Sequence, residues 1–284
     1  MLPVFFLCTP TNTDLLKAEI TENYKMLKLS FHVPGFVTCL SDEKDIAQLK
    51  KDPPSLSLFF GLSAKRVTDA NPTVWVENDK LVFSDDKKFV FQDKKSNLWQ
   101  ADDCDLSSLL KLQAIELPPN SPSRAWLKIA QGFNFFEKNR KNFSTAIEIG
   151  SAPGGASFFL LSQGLKVIGI DPGEMSADII SSKDFTHIKK PIQEIKKSEL
   201  PDSVELLAVD TNLSAQQSVK ESLRIASYYQ SSLKEVFLTI KLPVPKMVTQ
   251  LEKHKRALRK LGFKTKVIQL PSHHREVLLY GSKD

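Results

Sequence analysis

The sequence predicts an α/β fold: a mostly parallel, doubly wound sheet, preceded by a smaller α+β region, within 284 residues. Three observations carry that prediction. From residue 145 onward, apolar strand-like runs alternate with helical stretches, the pattern that builds parallel βαβ units. The first of those runs, Thr145-Ala146-Ile147-Glu148-Ile149, passes straight into the turn Gly150-Ser151-Ala152-Pro153-Gly154-Gly155. Ahead of it, Leu117-Pro118-Pro119-Asn120-Ser121-Pro122 reads as a linker after a segment of quite different pattern. The expected domains are therefore 1–118 and 119–284.

In the first domain, Pro3–Cys8 reads as a strand, its apolar run too short and too poor in basic residues for a signal peptide. Thr13–Tyr24 reads as an amphipathic helix capped by Thr13 or Asp14. Leu27–His32 and Phe36–Leu40 form two strands about the Val33-Pro34-Gly35 turn. A helix is expected over Glu43–Lys50, stopped by Pro53-Pro54, then strands at Leu56–Phe60, Thr73–Val76, Lys80–Phe83 and Phe89–Gln92.

In the second domain, strands are expected at 145–150, 165–171, 185–189, 205–210 and 234–242. Helices alternate with them at 154–163, 174–181, 214–231 and 245–261. The closing runs Phe263–Leu270 and Glu276–Tyr280 form an antiparallel pair at one edge. Open sheets bind ligands beyond the carboxyl ends of their strands. Gly150, Asp171, Asp210 and Lys241 lie at or beside four such ends.

Charge is uneven. Residues 1–120 hold 14 Lys/Arg against 17 Asp/Glu, whereas residues 121–284 hold 25 against 16. The basic excess accompanies the glycine-rich turn and suits a polyanionic partner such as RNA, with a solvated lysine-rich surface as the alternative. No apolar run approaches the roughly 20 residues that span a bilayer. Cys8, Cys39 and Cys104 are too few and too scattered for a zinc site or a disulfide framework, and read as reduced cytoplasmic thiols.

The turn itself narrows the ligand. A dinucleotide site wants G-x-G-x-x-G, but no glycine stands two positions after Gly150, and Pro153 removes a backbone donor where a pyrophosphate needs one. No Lys-Ser/Thr follows the glycines, so the Walker pattern fails too. A ribose- and adenine-bearing cofactor without phosphate, S-adenosylmethionine, fits better, with Asp171 accepting from the ribose diol. The alternative is a tight strand-to-helix turn that binds nothing.

Lys241 ends an apolar strand, where partial desolvation is expected to lower its pKa toward that of a useful base. Asp210 ends the neighbouring strand, Glu276 begins the last one, and Lys128 lies on a helix leading into the domain. Two lysines and two carboxylates thus converge near the strand ends.

Ser-Arg-Ala-Trp-Leu-Lys at 123–128, Gly-Ser-Ala-Pro-Gly-Gly at 150–155, Val-Asp at 209–210, Ile-Lys-Leu-Pro at 240–243 and Arg-Glu-Val at 275–277 together resemble the FtsJ-type RNA 2′-O-ribose methyltransferases. Their order is most similar to the bacterial family that methylates a cytidine ribose of 23S ribosomal RNA. The resemblance covers 121–284; before that, only Thr9-Pro10 and Leu16-Lys17-Ala18-Glu19 resemble the start of that family's RNA-binding region. It implies a Rossmann-like methyltransferase domain, S-adenosylmethionine as cofactor, RNA as partner, no metal, no membrane, and a cytoplasmic location.

Carried over, the resemblance implies a catalytic set of Lys128, Asp210, Lys241 and Glu276. Lys241 would take the proton from the ribose 2′-hydroxyl. Lys128 would stabilise the alkoxide and disfavour the protonated form of Lys241 by like-charge repulsion, while the two acids orient both lysines. The implied cofactor residues are Ser123, Gly150, Ala152, Pro153, Gly154, Gly155, Asp171 and Asp210. Two positions depart from the family: Ala156 stands where many members carry an aromatic residue, and Pro191 or Ile192 where an adenine-side acid is common, with Gln193 as a substitute. These departures keep open a noncatalytic RNA-binding or ribosome-assembly factor that retains the fold.

Other features have plainer readings. His273-His274 lacks partners for a metal set and reads as a loop touching RNA phosphate. Phe133, Phe135 and Phe136 read as core, and Lys253, Lys255, Arg256, Arg259 and Lys260 as a solvated helix face with RNA contact as the second option.

Overall fold

The computed structural model describes residues 1–84, 88–101 and 104–283. Its contacts group Met1–Ala114 with Leu242–Thr249 and His273–Arg275 as one unit. Ile115–Lys241, Gln250–Ser272 and the segment starting at Glu276 form the other.

The first unit contains β1 (Leu2–Leu7), α1 (Thr13–Asn23), β2 (Lys28–Val33), β3 (Phe36–Ser41), α2 (Ile46–Lys51) and β4 (Phe59–Leu62). After these come β5 (Lys65–Val67), β6 (Val74–Glu77), β7 (Lys80–Phe83), β8 (Phe89–Gln92), β9 (Leu98–Ala101) and α3 (Ser107–Gln113). One sheet is antiparallel in the order β2-β3-β1-β4, and a second runs β5-β9-β8-β6-β7. Aromatic residues from alternate strand positions fill its core. Phe5 stacks on Phe89 at 4.5 Å between centroids, and Phe36 on Phe91 at 4.6 Å.

Two local features depart from the sequence expectation. The strand expected at Leu56–Phe60 starts at Phe59, because the backbone N–H groups of Ser55 and Leu56 donate to the buried Glu19 carboxylate at 2.8 and 2.9 Å. That leaves Leu56 outside the ladder. β5, β9 and α3 were not expected; β5 and β9 span three and four residues and pair with each other.

The second unit holds α4 (Ala125–Phe135), β10 (Thr145–Ile149), α5 (Gly155–Ser162), β11 (Lys166–Ile170), α6 (Ala177–Ile180) and β12 (Phe185–Ile188). It continues with β13 (Leu206–Val209), α7 (Ala215–Ser227), β14 (Glu235–Lys241), α8 (Leu251–Arg259), β15 (Lys264–Ile268) and β16 (Glu276–Ser282). The sheet order is β12-β11-β10-β13-β14-β16-β15. The first five strands are parallel, and β16 runs antiparallel to both β14 and β15. This is the mostly parallel doubly wound sheet that the alternation predicts. From β10 the chain winds outward to β11 and β12, then returns to place β13 on the other flank. That reversal makes a crevice at the carboxyl ends of β10 and β13.

The apolar strands are buried on both faces, as parallel strands between helices must be. Phe133 of α4 packs between Phe159 of α5 and Phe237 of β14, at 5.0 and 5.1 Å. Some expected helices are shorter. The 174–181 stretch is helical only over Ala177–Ile180, and the 245–261 stretch splits into a 3-10 turn, Pro245–Gln250, and α8. α7 ends at Ser227, and just beyond it Tyr229 turns inward to donate its hydroxyl to the Pro201 carbonyl at 2.8 Å. Among the described residues no helix is long and apolar enough to cross a membrane.

Candidate active site

The turn after β10 is built on backbone geometry that only glycine supplies cheaply. Gly150 has φ +83°, and a Cβ there would collide with the Asp210 carbonyl at the end of β13. Gly154 has φ +118° and forms the N-cap of α5; a Cβ would stand 2.7 Å from Ile179. The turn therefore holds β10 close to β13 and leaves the crevice between them open. Ser123 packs against Gly155 from the segment leading into α4.

A cavity of about 310 Å³ occupies this crevice, within the range of small-ligand sites. Gly150, Ala152, Asp171 and Asp210 line it, and Pro153, Gly154 and Gly155 continue the same turn, with Ser123 against Gly155. Ile170, Pro172 and Ile192 provide apolar surface, and Gln193 lines the cavity beside them. Among the described residues the lining carries two carboxylates, Asp171 and Asp210, and no Lys or Arg. Such a wall repels a pyrophosphate and attracts a cation. Asp171 Oδ1 accepts the Gly173 N–H at 2.7 Å, which fixes the carboxylate at the strand end. These residues fit S-adenosylmethionine, a nucleoside with a positive sulfonium and no phosphate.

Beside the cavity, the four charged residues from α4, β13, β14 and β16 meet in a closed ring. Lys128 Nζ lies 2.8 Å from both Asp210 Oδ2 and Glu276 Oε1. Lys241 Nζ lies 3.0 Å from Asp210 Oδ1 and 2.6 Å from Glu276 Oε2. Each carboxylate thus bridges both ammonium groups. The fold dictates the meeting: Lys241 and Glu276 are register partners on antiparallel β14 and β16, and Asp210 follows the parallel neighbour β13. The Lys128 side chain is 20% exposed and that of Glu276 4%.

The electrostatics correct one expectation. Burial disfavours the Lys241 ammonium, but Asp210 and Glu276 outweigh it and hold the pKa above lysine's ordinary 10.5. The sequence reading had it lowered, by desolvation and by Lys128. Two carboxylates within 3.0 Å reverse that sign. In the resting ring Lys241 is therefore charged.

The sequence reading also passed over Glu148. This carboxyl is buried in β10 and accepts the Ser157 hydroxyl of α5; burial pushes its pKa up to about 8. The signal was available, since Glu148 is the only charged residue in an otherwise apolar strand. Thr211, Asn212 and Leu213 line the cavity as well, directly after Asp210. Two other readings change. His273 is fully buried and so cannot touch a phosphate, whereas His274 is exposed. Phe133 is core, but Phe135 is 40% exposed. The basic face of α8 is partly neutralised by Glu252, which pairs with Lys255 and Arg259 at 3.0 Å each.

Comparison with known proteins accords with this geometry. A family model described as FtsJ-like methyltransferase matches residues 122–280. Over 119 residues the chain is 29% identical to an uncharacterised protein of Methanocaldococcus jannaschii, covering 42% of this chain and 32% of that one. Over 162 residues it is 27% identical to the ribosomal RNA large subunit methyltransferase M of a Marinomonas species, covering 53% and 45%. The chain thus spans less than half the length of these curated relatives. A solved hemolysin candidate from Lactococcus lactis shares the fold, at 20% identity and a TM-score of 0.50 over 59% of this chain and 90% of that one. The family match takes in more than half of the chain, including the glycine turn and all four residues of the charged ring, and the chain belongs to the FtsJ-like methyltransferase family.

Proposed function

We propose that this protein transfers a methyl group from S-adenosylmethionine to a ribose 2′-hydroxyl of RNA. The substrate we assign is 23S ribosomal RNA, at a cytidine, on the strength of the resemblance and of the large-subunit name of the relatives. Asp210 carries the reading: the same carboxylate lines the cofactor cavity and bridges both lysines. A bound methyl donor and the proton-handling groups then share one wall.

S-adenosylmethionine, when bound, supplies a methyl group already activated on a positive sulfur. The protein's part is to position the hydroxyl and handle its proton. Lys241 Nζ, in its neutral form, accepts the proton from the 2′-hydroxyl. Lys128 Nζ stabilises the negative charge that grows on that oxygen. Asp210 and Glu276 hold both nitrogens in place and keep the ring neutral overall. Because they also hold Lys241 charged at rest, the neutral base is a minor form that becomes more abundant as pH rises.

The first domain, 1–118, is assigned to RNA docking, by resemblance of its 9–19 segment, and 119–284 to methyl transfer. We assign a cytoplasmic location with it, by the same resemblance. The direct experiment maps ribose methylation in ribosomal RNA from cells with and without the gene. Loss of one defined 2′-O-methyl group is expected. An unchanged map, together with no S-adenosylmethionine binding by calorimetry, would favour the noncatalytic assembly factor.

A further inference from the structure

Arg275 is peptide-bonded to Glu276, yet its contacts group with the first unit. It adopts φ +52°, a left-handed conformation unfavourable for a side chain of this size. Such strain persists only where surrounding contacts over-determine the backbone, and here they do. The Arg275 N–H donates to Asn12 Oδ1 at 2.7 Å, and its carbonyl accepts the Leu242 N–H at 2.7 Å. Its guanidinium pairs with both oxygens of Asp14 at 3.0 Å each. The same group donates to the carbonyls of Thr11 at 3.1 Å and Pro243 at 3.2 Å. Asn12 is fully buried, and Asp14 sits in the first turn of α1 with Oδ1 also accepting the Leu15 N–H at 2.9 Å.

An exposed Arg–Asp pair alone is worth little. This one is different because it ties three segments: 11–14, 242–243 and 275. Two of these adjoin ring residues. The Leu242–Arg275 bond is the next rung after the Lys241–Glu276 register pair. Fixing that rung fixes where both side chains start.

We propose that Arg275 is a positioning residue: clamped to Thr11, Asn12 and Asp14, it holds the Lys241–Glu276 rung in the geometry that the ring needs. Methyl transfer thereby depends on residues 11–14, through the backbone that joins Arg275 to Glu276. The proposal rests on the function assigned above. A misplacement of about 1 Å costs a reaction about 100-fold, so the clamp acts on rate rather than on cofactor affinity. Lysine replaces it only in part, because it lacks the planar fork that reaches two carboxylate oxygens and two carbonyls together.

The test compares Arg275→Ala, Arg275→Lys and Asp14→Asn with the wild type in the full chain. S-adenosylmethionine affinity by calorimetry is expected to be unchanged. Single-turnover methylation of ribosomal RNA is expected to fall about 100-fold for Arg275→Ala, with Arg275→Lys recovering part and Asp14→Asn losing least. With Glu276 released from Lys241, the rate–pH curve moves to lower pH, a shift that simple loss of folded protein does not produce. Amide exchange quickens at 240–242 and 275–278 without substrate. Wild-type rate and pH profile in Arg275→Ala would overturn the clamp. Should the wild type itself fail to methylate RNA, the assigned function falls, and exchange still decides the clamp: unchanged exchange in all three variants overturns it.

Discussion

Strand β14 starts at one charge cluster and ends at another, and the two are built to opposite rules. At its start, Glu235 accepts from Arg140 Nε at 2.5 Å and from the Tyr280 hydroxyl at 2.6 Å. Arg140 also donates to the Phe136 carbonyl at 2.8 Å and lies 4.2 Å from the centre of the Phe133 ring. The Arg140 and Glu235 side chains are 12% and 2% exposed, so this is a sealed joint of one cation, one anion, a neutral donor and aromatic cover. At the other end, Lys241 joins Lys128, Asp210 and Glu276, and the charges satisfy one another. Both lysines stay 20–30% exposed, beside a cavity. Buried ion pairs add little net stability. What separates the clusters is access: one is closed and ties α4 to the sheet, the other lies partly exposed beside a cavity.

Substitutions at the two ends should therefore fail differently. Lys241→Ala is expected to lower single-turnover methylation between about 10²- and 10⁴-fold, the contribution of a positioned base, while calorimetry finds cofactor affinity retained. Wild-type turnover in that variant would remove Lys241 from the role of base. Glu235→Ala leaves a buried guanidinium without its anion and is expected to cost about 3–5 kcal/mol in denaturant unfolding, with the rate per folded molecule unchanged. If instead it spared stability and slowed methyl transfer, the two clusters would not be separable as drawn.

How much of this was legible in the sequence follows from the range of each force. The parallel sheet was legible because apolar strand runs such as Ala146–Ile149 and Leu206–Val209 alternate with helical stretches, a local signal. The ring residues were legible as strand-end charges, although resemblance rather than periodicity brought Lys128 to them. The sign of the Lys241 shift was not, since it depends on two carboxylates brought near only by folding. Glu148 showed as a charged letter in an apolar strand, but its partner Ser157, across the glycine turn, did not. Arg275 read as one letter of a motif, because its partners Asn12 and Asp14 are remote in sequence. β5 and β9 are held by pairing with each other rather than by any pattern of their own.

The central claim is that Lys241 acts as base from a ring whose carboxylates hold it charged at rest. Its pKa in the folded chain lies above 10.5, so the neutral fraction grows as pH rises toward that value. The single-turnover rate of the wild type against pH tests this most directly, with Glu276→Gln alongside. The account predicts a rise of about tenfold per unit between about pH 6 and 9 in the wild type. In Glu276→Gln, losing one carboxylate lowers the Lys241 pKa, so the same rise moves to lower pH. A wild-type rate flat across that range, or a Glu276→Gln curve displaced to higher pH, would contradict it.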